Sequence, residues 1–203
     1  RQERAVSPHR IGMYVGTAAG FSLLHPIFAQ GFMEGTGSRN IYSSATQDCA
    51  NRFASAQAMY GFPFTQPFPD LDHVQYLLVL GTNPVVSKWT FLQVAHPVKR
   101  LKSVLKRGGR IVVVDPRHNE TAKVAGEYKP IRPGTDLWFL LSFLQVMASR
   151  GIDPDILSSP HFDGAATVLE ATADWPPEAT ADITGIAPDE LRQLVEDFCT
   201  AEG

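Results

Sequence analysis

The sequence predicts an α/β fold: a three-layer, Rossmann-like domain with a parallel sheet, followed by a small helical C-terminal extension. Three observations predict it. Val74 to Gly81 ("VQYLLVLG") and Arg110 to Asp115 ("RIVVVD") are continuous aliphatic runs of strand length, the pattern of strands covered on both faces. Helix-length segments closed by glycine lie between and after them. The order strand, helix, strand, segment, strand, helix is that of a parallel sheet with helical crossovers. Composition agrees, because 203 residues that are 44% hydrophobic suffice for one sizeable core.

Taken in order, "IGMYVG" (Ile11 to Gly16) reads as a short strand running into the small-residue loop "GTAAG", with a helix from about Phe21. "CANRFASAQAMYG" carries apolar and small residues at helical spacing and ends on Gly61 as a C-cap. Three prolines make "FPFTQPFPDLD" a loop. After the Val74–Gly81 strand, a helix is expected over much of Trp89 to Lys106, interrupted at Pro97, which lacks a helical donor. "YKPIRP" is a short third strand, and "TDLWFLLSFLQVMASRG" is a strong helix closed by Gly151. Beyond it, "ITGIAPDELRQLVEDFCTA" is an amphipathic helix with Pro188 in its first turn. These boundaries divide the chain into an N-terminal part (1–70), a Rossmann-like part (71–151) and a loop-and-helix extension (152–203).

Several function classes are disfavoured at this stage. A net charge of −3 gives no basic face for nucleic acid. The longest apolar run, "LWFLLSFLQVMA", is too short to cross a bilayer. Cys49 and Cys199 build neither a disulfide framework nor a four-thiolate cluster, so a reducing, cytoplasmic compartment is the default expectation. The six histidines show no metal-ligand spacing. The chain starts at Arg1 without Met and is read as a piece of a longer parent.

Polar breaks fall where three strands should end: "GTNP" after the first buried strand, "DPR" after the second and "RPGTD" after the third. In open parallel sheets, ligands sit beyond those carboxyl ends. Gly81 and Gly134 let backbone approach a ligand closely. Thr82 and Asn83 offer neutral hydrogen-bond groups, and Thr121 adds a hydroxyl. Asp115, before Pro116, suits a pair of ribose hydroxyls; Arg117 suits a phosphate; Asp136 suits a purine edge. Each has a plainer reading. "GTNP" is ordinary turn chemistry, Arg117 can pair with an acid, Thr121 can cap a helical turn, and Asp136 complements a helix dipole. Coincidence at three adjacent strand ends favours a nucleotide-shaped pocket. No G-x-G-x-x-G is present, and Gly81 to Asp115 is far longer than the ~20-residue spacing of a dinucleotide fingerprint.

Four blocks, "GSRNIYSSATQDCANRFASAQAMYG", "DLDHVQYLLVLGTNPVVS", "KRGGRIVVVDPRHNETAKVAGEYKPIRPGTD" and "ITGIAPDELRQLVEDF", resemble consecutive stretches of the molybdopterin oxidoreductase family. That family includes formate dehydrogenases, periplasmic nitrate reductases and dimethyl sulfoxide reductases. The resemblance implies a molybdopterin guanine dinucleotide, one of two (bis-MGD) that chelate Mo or W. It implies a phosphate region at Gly81 and Asn83, a ribose-and-phosphate turn at Asp115, Pro116 and Arg117, and a guanine-reading turn at Gly134 and Asp136. It also implies a protein ligand to the metal within "TQDCAN". Cys49 is the first candidate, a soft donor suited to Mo or W, and Asp48 is the alternative. The bland reading of Cys49 is a small buried hydrophobe. The family's formate dehydrogenases place a His after the ligand; Ala50 follows Cys49 here, which argues against formate oxidation. A 4Fe-4S cluster, the second pterin site and an electron-transfer subunit would belong to the rest of the parent and its partners. Two rival readings remain open: a noncatalytic nucleotide-binding domain of a thiamine-diphosphate enzyme, and a purely structural α/β module.

Overall fold

The computed structural model describes residues 7–16, 19, 22–88, 95–152, 154–161 and 163–201. They form two compact units that meet in sequence between Pro67 and Phe68.

The first unit opens with a 3-10 turn (Pro8–Arg10) and strand β1 (Gly12–Val15), followed by helix α1 (Leu24–Thr36). Strand β2 (Asn40–Ser43), the single turn α2 (Ala45–Asp48) and helix α3 (Ala50–Tyr60) complete it. β1 and β2 pair in parallel from Gly12 opposite Asn40 to Val15 opposite Ser43. The turn into β2 is secured by Ser38, whose hydroxyl donates to the Ile11 carbonyl at 2.6 Å. α1 and α3 both end on glycines in the left-handed region, Gly37 (φ 77°) and Gly61 (φ 73°). Of the sequence expectations, the loop and helix start at 17–21 lie largely outside the described residues. β2 was not foreseen, because "NIYS" is short, mostly exposed and lacks an aliphatic run.

The second unit holds a three-stranded parallel sheet in the order β3–β4–β5, formed by β3 (Tyr76–Leu80), β4 (Arg110–Asp115) and β5 (Glu127–Pro130). Between β3 and β4 lie α4 (Pro84–Ser87) and α5 (Pro97–Lys106); α6 (Glu120–Ala125) joins β4 to β5. After β5 come α7 (Asp136–Ser149), α8 (Pro154–Leu157), α9 (Ala165–Thr172), α10 (Pro177–Thr184) and α11 (Pro188–Thr200). Pro97 does not interrupt α5: it occupies the first helical position, where a missing N–H costs nothing. Residues 89–94 of that expected helix lie outside the described residues. β5 stops at Pro130, short of the expected Pro133, because its residues 127–130 alone find partners on β4. The "IT" of "ITGIAPDEL" closes α10 on Gly185 (φ 81°), and α11 begins at Pro188.

Side-chain alternation along the sheet gives two cores, one on each face. Leu77, Val79, Ile111 and Val113 pack with Leu101 and Val104 of α5 and Ala122 and Ala125 of α6. Tyr76, Val112 and Val114 pack with Phe139, Phe143 and Val146 of α7 and Leu191, Leu194 and Val195 of α11. Helix, sheet and helix therefore form the expected three layers. α11 is held down by ion pairs from β4, β5 and the residue that caps α7: Arg110 with Asp197, Lys129 with Glu190 (2.7 Å) and Arg150 with Glu196. Burial, opposed by the Arg110 charge nearby, raises the Tyr76 phenol to about 12, so it stays neutral within this layer.

Close packing sets one stability prediction. A Cβ added at Gly126 would sit 2.6 Å from Val113 Cγ2, on a valine fully buried in the sheet. The backbone there (φ −154°) accepts any residue, so the cost of Gly126→Ala is steric overlap alone. We expect a loss of about 1–3 kcal/mol in urea unfolding. An unchanged midpoint would mean that Gly126 is not in contact with the sheet.

Candidate functional site

All three strands of the second unit end at one level. Leu80 lies opposite Val114 and Asp115 opposite Pro130, so the turns carrying the predicted site residues leave from the same carboxyl edge. The Gly81 N–H continues the ladder by donating to the Val114 carbonyl at 3.0 Å, and its φ of 57° turns the chain away. Gly134 has φ 74°. Among the described residues, and its own chain neighbours aside, neither glycine has a heavy atom within 4 Å of where a Cβ would be. Both are needed for their backbone conformation, and both border open space.

The tips of β3 and β4 are tied by side chains. Asn83, at the start of α4, engages both ends of its amide internally. Its Oδ1 accepts from the Thr121 hydroxyl (2.8 Å) and the Thr121 N–H (3.2 Å), and its Nδ2 donates to Glu120 (2.6 Å). Thr121, fully buried, also accepts from the Val85 N–H at 3.1 Å. Asn119 caps α6 by accepting from the Ala122 N–H (2.9 Å), while its Nδ2 donates to Asp115 Oδ2 (2.9 Å) and reaches the Thr82 carbonyl (3.4 Å). Asp115 Oδ1 accepts from the Arg117 N–H at 2.8 Å, bending the chain over Pro116. The exposed Arg117 guanidinium points to Glu120, 3.1 Å away.

Seven of the predicted residues (Gly81, Thr82, Asn83, Asp115, Pro116, Arg117 and Thr121) thus stand in one connected pair of turns. Asn83 and Thr121 face each other rather than open space; Asp115, Pro116 and Arg117 are the outward-facing members. Gly134 and Asp136 are exposed on the neighbouring turn after β5. That turn is fixed separately: the Arg132 N–H donates to the Thr184 carbonyl (2.8 Å), and the Thr135 hydroxyl donates to the Arg132 carbonyl (2.7 Å). Among the described residues no hydrogen bond joins Gly134 or Asp136 to the β3–β4 network. Sequence reasoning missed Asn119 and Glu120. The available signal was Asn119 followed by "ETA", a cap residue with an acid in the first turn.

Electrostatics make Glu120 the anchor of this network. The Arg117 guanidinium first, and then the Asn83 amide, hold its carboxyl down at about 2, against an ordinary value of 4.5. A depressed acid contributes stability above its unfolded value and loses it as pH falls through the folded one. Contacts from Asn83 and Arg117 to Glu120 should therefore persist from neutral pH through pH 4 and dissolve only near pH 2. A carboxyl-carbon NMR titration of Glu120 checks this; a midpoint near 4.5 would show that the contacts do not hold in solution.

In the first unit, Asp48 and Cys49 sit at the joint of α2 and α3. The Cys49 N–H donates to the Ala45 carbonyl, and the Cys49 carbonyl accepts from Phe53, both at 3.0 Å. Cys49 is half-buried and its thiol is free. A groove of about 670 Å³ opens at the carboxyl ends of β1 and β2, lined by Tyr14, Tyr42, Ser43, Ser44, Gln47 and Asp48. Asp48 is part of its wall; Cys49 is not. No group of three or more His, Cys, Asp or Glu side chains converges among the described residues. No described helix is long and apolar enough to cross a membrane.

An open parallel sheet between helical layers, with a polar, cross-tied pair of turns at its carboxyl edge, defines an α/β protein of Rossmann-like class. The chain belongs to the molybdopterin oxidoreductase family, whose model matches residues 3–153. It is similar to a nitrate reductase of Symbiobacterium thermophilum, 31% identical over 166 residues that cover 72% of this chain and 21% of the relative. Formate dehydrogenase H of Escherichia coli is 21% identical, covering 81% of this chain and 23% of the relative. The solved acetylene hydratase from Pelobacter acetylenicus superposes with a TM-score of 0.66 at 26% identity, over 85% of this chain and 23% of that one. The chain thus spans between a fifth and a quarter of the length of these relatives.

Proposed function

We propose that this chain is the part of a molybdenum or tungsten oxidoreductase that holds the guanine dinucleotide end of one molybdopterin, in an enzyme carrying the bis-MGD form. One observation carries the reading. Within the family-matched segment, the β4 turn presents a carboxylate and an exposed guanidinium side by side at the sheet's carboxyl edge. That pairing suits a sugar diol next to a phosphate. The residues also fit in shape, since Gly81 and Gly134 border open space that a Cβ would enter.

Roles follow from these positions. Asp115 accepts from sugar hydroxyls, Arg117 balances phosphate charge, and the Gly81 and Gly134 turns let the ligand approach backbone. Asp136 accepts from the N–H groups of a guanine edge. Asn83, Thr82 and Thr121 fix the two turns that carry these groups. In the first unit Asp48 is the protein's carboxylate at the β1–β2 groove, preferred as metal ligand over its neighbour Cys49 because it lines that groove. The chemistry supplied by the bound group is two-electron or oxygen-atom transfer, and the protein's share is to position and tune it. The second pterin site, a 4Fe-4S cluster and contacts to an electron-transfer subunit are assigned to parts of the parent outside this chain.

Amide hydrogen exchange with added nucleotide tests the reading. Guanosine diphosphate should slow exchange at the amides of Asp115, Arg117, Gly134, Thr135 and Asp136, and adenosine diphosphate should do so less. Unchanged exchange at saturating guanosine diphosphate would reject the pocket. An adenine preference would reject guanine as the base held at this edge.

A further inference from the structure

We propose that Asn119 is a positioning residue that gives this edge its preference for a vicinal diol, and so for a ribonucleotide over its 2′,3′-dideoxy analogue. The inference rests on the nucleotide reading above and adds the sugar chemistry and the residue that sets it.

An ionised carboxylate has about four lone-pair sites on two oxygens. In Asp115 each oxygen takes one internal donor: Oδ1 the Arg117 N–H at 2.8 Å, and Oδ2 the Asn119 amide at 2.9 Å. Donors on opposite oxygens stop the carboxylate from rotating. Acceptor capacity remains on both, and Asp115 is only half-buried. The guanidinium of Arg117 is directed to Glu120 rather than to Asp115, so among the described residues no cation is paired with that capacity. Two oxygens held at fixed orientation match two hydroxyls on adjacent carbons. A single hydroxyl can satisfy only one of them.

The amide of Asn119 cannot turn over. Its Oδ1 is fixed by the Ala122 N–H at 2.9 Å, and flipping would set that oxygen against the Asp115 carboxylate and the Thr82 carbonyl. The side chain is 1% exposed, so no water can replace either contact. Asn119 therefore couples three things: the α6 cap, the β3 tip and the orientation of the acid on β4. A serine at this position keeps the cap but cannot extend a donor to Asp115.

The test compares guanosine diphosphate with its 2′,3′-dideoxy analogue on the full 203-residue chain and on Asn119→Ser. The unmodified chain should prefer the ribonucleotide by about tenfold, the scale of a hydrogen bond to a charged group. In Asn119→Ser that ratio should fall to within twofold, with affinity for the dideoxy analogue unchanged. A merely structural role would weaken both ligands alike and preserve the ratio, which overturns the proposal. So does an unmodified chain that binds both equally, while leaving the nucleotide reading intact; binding neither rejects that reading as well. If Asn119→Ser does not fold, the Asn119 side-chain amide resonance of the unmodified chain decides. It should shift with guanosine diphosphate and not with the dideoxy analogue, and equal shifts overturn the proposal.

Discussion

Asp48→Asn should remove the anionic protein-oxygen ligand from the metal of the cofactor-loaded protein, whereas Cys49→Ser should leave the ligand set of the metal unchanged. Metal-edge X-ray absorption of both variants against the unmodified protein decides between them, because the pterin dithiolenes would retain the metal in each. The reason is position before chemistry. Both residues lie in "TQDCAN", and by donor softness alone the thiol is the better partner for Mo or W. Yet Asp48 lines the groove at the β1–β2 strand ends, while Cys49 is half-buried at the joint of α2 and α3. Turning Asp into Asn keeps the shape and removes the anionic oxygen donor, so that one coordination bond is lost without a change in packing. Cys to Ser is likewise nearly isosteric. A change of ligand set confined to Cys49→Ser would return the ligand role to the thiol and reject the groove wall as the place of the metal.

How much of this was legible in the sequence depends on what kind of signal each element leaves. β3 and β4 announce themselves because burial on both faces demands unbroken aliphatics, and α7 because its apolar positions run along almost its whole length. β2 left no such trace: four mostly exposed residues are a strand only because β1 lies beside them. α6 is six residues long, too short for periodicity, and its cap at Asn119 was visible only as a residue type. At the candidate site, the strand-end turns were found from Gly, Pro and Asp punctuation, which records backbone geometry directly. Whether a polar side chain at such a turn faces a ligand or a neighbour is a tertiary fact. Asn83 and Arg117 look alike as "polar residue after a strand", yet one is consumed inside the protein and the other is exposed.

That distinction yields the largest stability effect expected at the site. Asn83→Ala should cost roughly 2–4 kcal/mol in unfolding free energy, although Asn83 is a surface-turn residue on sequence grounds. Deleting its amide leaves the fully buried Thr121 hydroxyl without the acceptor at 2.8 Å and the Thr121 N–H without the one at 3.2 Å. Each stranded donor costs about 1–3 kcal/mol because water cannot reach it. Glu120 loses a donor too, but being accessible it recovers most of that from solvent. Thr121→Val removes one of the stranded groups in advance, so the double variant should be less unstable than the sum of the singles. A coupling of about 1–2 kcal/mol in the double-mutant cycle is expected. Strict additivity would mean the two side chains do not meet, and the Asn83 amide would then be free to face a ligand after all. Nucleotide titration of Asn83→Ala completes the separation. A residue that only braces the turns should weaken ribonucleotide and dideoxy analogue equally, in contrast to Asn119, whose replacement should erase the difference between them.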